Sequence, residues 1–128
     1  MINTQTKKIK LIDFGSMTRV EPGKTCSLFY GTKKFAAPEA VQAQPYHPKC
    51  QEIWVLGTLL FVLLFKADPF QTDAEIINED IKYRILRMAD IGLVISKEAT
   101  ELLSGMMEKD WRKRLTAFEV LEMPWLRK

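Results

Sequence analysis

Asp13, Phe14 and Gly15 follow a run, Lys8-Ile9-Lys10-Leu11-Ile12, that alternates loosely between apolar and polar residues. A carboxylate at the end of a short strand, beside a glycine that lets the backbone turn, is placed to hold a magnesium ion. That ion takes few carboxylates and leaves positions for phosphate oxygens. Alone the tripeptide is a weak signal, because the same residues also make an ordinary turn. The one histidine, His47, stands in a loop between Pro45 and Pro48 and is read as structural. Two cysteines, Cys26 and Cys50, make no disulfide framework and fit a reducing compartment.

The elements that must carry these residues are mostly helices. Met17–Val20 is expected to pair back on the strand before Asp13, giving a short N-terminal β-hairpin. A loop rich in turn formers follows, with Glu21-Pro22-Gly23-Lys24 at its start and Gly31-Thr32 near its end. Pro38 suits a first helical turn continuing through Glu39 to Gln42. Residues 50–65 are apolar on all sides, which predicts a helix at the centre of the fold with Leu59 and Leu63 buried. Asp68-Pro69-Phe70 breaks it. Thr72-Asp73-Ala74-Glu75 and Thr116-Ala117-Phe118-Glu119 have the form of capping boxes, and each predicts a helix start. Ser96 opens another helix, whose apolar stripe is Ala99, Leu102, Leu103, Met106 and Met107.

A chain of 128 residues holds one domain. Its 47% hydrophobic and 27% charged composition is that of an ordinary globular protein. A net charge of +3, with scattered lysines and arginines, gives no case for nucleic acid. The most apolar stretch, Ile53–Phe65, is shorter than the roughly 20 residues of a membrane span, so a core helix and no membrane are expected. The first ten residues carry lysines but no apolar run or cleavage site, so no signal peptide is expected. The location expected is cytoplasmic or nuclear.

Further landmarks follow Asp13-Phe14-Gly15 in order: Gly31-Thr32, Ala37-Pro38-Glu39, Trp54 with Gly57, Pro69-Phe70, Arg114 before Leu115-Thr116, and Pro124-Trp125-Leu126. In this order and at these spacings the chain resembles the second half of a eukaryotic protein kinase catalytic domain of the serine/threonine type. The resemblance covers residues 7 to 127. It implies a mainly α fold, the helical C-lobe of the kinase, with the N-lobe absent. Residues 13–39 would be the activation segment and 40–128 the helical lobe. Asp13 resembles the metal-binding aspartate, and Phe14 the residue packing behind it. Thr32 matches the threonine that supports a catalytic aspartate. Lys33 to Ala36, Phe35 among them, match the floor under the protein substrate, with Ala37 and Pro38 closing it. Leu59 and Leu63 match residues supporting the nucleotide side.

Glu39 is implied to pair with Arg114, a bidentate contact pinning the segment to the helices. As two surface charges the same residues would contribute at most about 1 kcal/mol. The segment around Ile9–Ser16, Glu52 and the Leu64–Phe70 stretch resemble the PAS-domain-regulated kinases. Glu52 stands where most kinases have aspartate. Leu28 occupies the place of a threonine that many relatives phosphorylate, although Thr25 and Ser27 are nearby. Trp111 replaces a common proline after Asp110.

Phosphoryl transfer of this kind also needs a glycine-rich loop, a strand lysine paired to a glutamate, and a catalytic-loop aspartate and asparagine. The sequence contains no Gly-x-Gly-x-x-Gly and no His-Arg-Asp, and only residues 1–12 precede Asp13. ATP with Mg2+ is thus a family expectation, weak or absent in the chain alone. The partners implied are a protein substrate and the missing N-lobe. Three readings stay open: a serine/threonine kinase represented by an inactive C-lobe fragment, a non-catalytic kinase-lobe binding module, and a degenerate truncated gene product.

Overall fold

Apolar helix faces need partners, and the central helix of this chain finds its partner far along the sequence. The computed structural model describes residues 1–15, 17–21 and 23–127. Helix α1 spans Pro38–Val41, α2 Pro48–Phe65, α3 Asp73–Asn78, α4 Ile81–Asp90, α5 Lys97–Met106 and α6 Ala117–Glu122. A single 3-10 turn, Lys33–Phe35, precedes α1.

Helix α2 starts two residues earlier than its apolar run suggests. Pro48 takes the first helical position, where its missing N–H costs nothing, and His47 Nδ1 accepts from the Lys49 amide at 3.3 Å. The helix ends at Phe65, with Lys66 in the left-handed conformation at φ 57° and its amide bonded to the Val62 carbonyl. Trp54, Phe61 and Phe65 from α2 meet Leu102, Leu103, Met106 and Met107 on and just beyond α5, with Phe70, Ile76, Ile81 and Ile85 closing the core. The two helices approach so closely at Gly57 that an added Cβ would lie 2.7 Å from Met107 Cγ and 3.1 Å from Met106 Cβ.

The caps form largely as the sequence predicts. Thr116 and Glu119 make the full reciprocal box. Thr72 Oγ1 accepts from the Glu75 amide, but Glu75 reaches back to the Gln71 amide instead, at 2.7 Å. Ser96 caps α5 through the Ala99 amide.

Two expectations are corrected. The N-terminal hairpin reduces to one antiparallel bridge, Ile2 with Ile9, and Met17–Val20 takes no part in a named strand. Asn3 Oδ1 accepts from the Gln5 and Thr6 amides and turns the chain there. A two-stranded ribbon needs a covered apolar face to persist, and Ile9 and Leu11 are each 77% exposed. Second, α2 is central but not buried all round. Leu59 is 49% and Leu63 58% exposed, against the expectation that both are buried. The physical reason is coverage: the α5 side and the loop around Phe70 bury one face of α2, while the face carrying Leu59 and Leu63 stays open. By length and composition α2 would also serve as a membrane span, but its buried face belongs to this helical core.

Candidate functional site

Glu39 and Arg114 are 75 residues apart in sequence and both 3% exposed. Arg114 Nη1 donates to Glu39 Oε1 at 2.7 Å and Nη2 to Oε2 at 2.9 Å, a two-pronged contact that a lysine could not make. The rest of the guanidinium is held as well. Nε donates to the Glu108 carbonyl at 2.9 Å, and Nη1 also donates to the Cys50 carbonyl at 2.9 Å. Its plane sits near the Trp54 ring, 5.1 Å from the centroid. Helix α1 brings Glu39, α2 brings Trp54 and Cys50, and the loop after α5 brings Arg114.

Gln51 extends this anchor to the preceding segment. Its Oε1 accepts from the Ala37 amide at 3.1 Å, and its Nε2 donates to the Phe35 carbonyl at 3.3 Å. A buried amide one turn into α2 thus clamps the backbone on both sides of Ala36. Ala37 and Pro38 are buried beside it, while Thr32 and Lys33 stay exposed. Thr32 precedes the 3-10 turn without a side-chain capping bond. Lys33 pairs with Asp73 at 2.7 Å and Lys34 with Asp68 at 3.1 Å, two surface contacts of small energetic weight. Farther back, Cys26 and Tyr46 exchange backbone hydrogen bonds of 2.8 Å, and Tyr46 Oη donates to the Leu28 carbonyl. Burial pushes the Tyr46 phenol up from its ordinary value, as it does the Cys50 thiol.

Other expected residues are not gathered here. Asp13 takes a left-handed backbone, φ 64°, on the exposed N-terminal segment. Phe14 is 59% exposed, with Leu59 and Leu63 on the open face of α2. Among the described residues no group of three His, Cys, Asp or Glu could hold a metal ion.

Sequence reading missed Gln51 and Lys109. A glutamine inside an otherwise apolar helix was the available signal for the first. Lys109 offered none: its Nζ donates to the Ile76 carbonyl at 2.5 Å and lies 4.2 Å from the Phe70 ring centroid and 5.0 Å from that of Trp54. Burial, with Arg114 pushing the same way, lowers its pKa to about 8, although Asp80, Glu79 and Glu108 oppose the shift.

This arrangement can be set beside known proteins. The family profile described as Protein kinase domain matches residues 1–126. The chain belongs to the protein kinase family. Mouse sperm motility kinase 3A is 36% identical over 93% of this chain and 23% of its own length. The mouse PAS domain-containing serine/threonine-protein kinase is 35% identical over 92% of the chain and 8% of its own length. Bovine myosin light chain kinase 2 is 31% identical over 98% of the chain and 20% of its own length. The chain thus spans a quarter or less of these kinases. In kinase terms the fold is a helical C-lobe, and protein kinases generally use ATP and Mg2+ on protein substrates.

Proposed function

We propose that this chain is the substrate-side half of a serine/threonine protein kinase and transfers no phosphate by itself. The observation that carries this reading is the Glu39–Arg114 pair with Gln51 beside it, which fixes residues 35–39 and leaves Thr32 and Lys33 facing outward. In a complete kinase that ledge would receive the protein substrate, with residues 13–39 as the activation segment. Asp13 would share Mg2+ and the ATP phosphates with groups this sequence does not contain. The place of action proposed is the cytosol or nucleus, which the two free cysteines suit.

The test is a radiolabelled-ATP assay on the purified chain, with millimolar magnesium, generic protein substrates and an Asp13→Ala control. The expected result is no incorporation above the control. Catalytic groups act as a unit, and a deficit of about 7 kcal/mol in transition-state stabilisation already lowers the rate by about 10⁵. Incorporation that depends on Asp13 would overturn the reading.

A further inference from the structure

Lys109 has no part in the substrate ledge or in the expected nucleotide site, yet its surroundings are unusual for a lysine. It stands in the loop after α5, where it borders two cavities. One, of about 480 Å³, lies among Pro38, Gln42, Pro45 and Trp111. The other, of about 210 Å³, lies among Asp80, Ser104 and Glu108. The residue is only partly exposed. Its Nζ ends between two rings, 4.2 Å from the Phe70 centroid and 5.0 Å from that of Trp54. Its hydrogen bond goes to a neutral acceptor, the Ile76 carbonyl, at 2.5 Å.

Such surroundings favour the uncharged amine. Asp80, Glu79 and Glu108 oppose that form and Arg114 assists it; burial decides, bringing the pKa to about 8. At pH 7.4 about a fifth of the amine is then uncharged, against about a thousandth for an ordinary exposed lysine. The uncharged form keeps an N–H for the Ile76 carbonyl and gains a lone pair, which makes a lysine nucleophilic.

We infer that Lys109 is an acyl-acceptor site, taking acyl groups from small activated donors of the acyl phosphate class. The amine lone pair attacks the carbonyl carbon of the donor. A C–N bond forms, the C–O bond to phosphorus-bound oxygen breaks, and phosphate leaves with the bonding pair. One N–H proton passes to water. The product is an uncharged amide whose remaining N–H still serves the Ile76 carbonyl. Acylation thus removes an ammonium that burial disfavours and gives up its attraction to the two rings. The adjoining cavities give the new acyl group room. The inference is independent of the kinase reading, since it rests on the setting of one amine.

Trace acetylation of the intact chain with acetyl phosphate at pH 7.4, mapped by peptide mass spectrometry, tests it. Lys109 should react at least about fivefold faster than the exposed Lys82 and Lys113. That is far less than the ratio of uncharged fractions, because a less basic amine is a weaker nucleophile and this one is partly covered. At pH 10 the preference should shrink, since the exposed lysines then lose their protons too. In concentrated urea it should vanish, because Trp54 and Phe70 no longer surround the amine. Labelling of Lys109 no faster than that of Lys82 and Lys113 overturns the proposal. So does a preference that survives unfolding, or one that stays constant from pH 7.4 to pH 10.

Discussion

Arg114 has five N–H donors in a rigid fork, and the fold supplies two glutamate oxygens and three carbonyls to meet them, the longest contact being 3.5 Å to the Lys109 carbonyl. Removing that side chain leaves the Glu39 carboxylate buried without its partner. Arg114→Ala should therefore cost about 3–5 kcal/mol, a large share of the ~5–15 kcal/mol that holds a domain of ordinary stability. Urea unfolding monitored by circular dichroism would show it, and a loss under 1 kcal/mol would contradict the buried-pair account. Lys109 sets a different signature. Its folded pKa, about 8, lies below the ordinary 10.5, so between those values the unfolded chain holds a proton that the folded chain has released. Its contribution makes stability rise with pH across that window, and the burial penalty on its charge is fully present below about 8. Tyr46 and Cys50 act in the opposite sense, their raised pKa values favouring the folded state less as pH climbs. Comparison with Lys109→Met at pH 8 and pH 10 isolates the lysine: the wild type should gain stability relative to the variant, and a constant difference would argue against it. The Glu39–Arg114 contact was legible only through the family resemblance, since periodicity relates near neighbours. Lys109 was illegible because its environment comes from α2, the Phe70 loop and α3 together.

Helix starts were easier to read, because a cap is a local arrangement. Thr116, Ser96 and Thr72 each satisfy an amide three residues ahead, as their spacing implies. The break between α3 and α4 escaped notice, although Asp80 caps the second helix through the Lys82 amide at 2.8 Å. Both flanking sequences favour helix, and an extended pair, Glu79 and Asp80, separates them. Gly57 shows how an element depends on its neighbour. Helix propensity alone would make Gly57→Ala stabilising by about 1 kcal/mol, yet its methyl would press on Met106 and Met107. Because the Met106 contact includes its Cβ, the helices must separate, and the variant should be destabilised by about 1–3 kcal/mol. A rise in melting temperature would show instead that Met107 yields freely.

Across the whole molecule, order is concentrated in one part. The described residues before Thr32 are almost wholly exposed, and among them long-range backbone bonding rests on the pairings of Ile2 with Ile9 and Cys26 with Tyr46. Helices α2 and α5 share the core. Amide hydrogen exchange should therefore be slowest in α2 and α5, by at least about 10³ over residues 1–25, which open with little loss of burial. Uniform protection along the chain would contradict this division. The sequence by itself determined the mainly helical class, most helix starts and the family, since caps, proline positions and ordered landmarks are local or linear features. Only the tertiary structure decided which faces are covered. Apolar residues all round α2 read as full burial, but burial is a property of what packs alongside, and no periodicity within a helix contains it. Packing covered Trp54 and Phe61, left Leu59 and Leu63 open, and brought Gln51 and Arg114 to the same short stretch of backbone around Glu39.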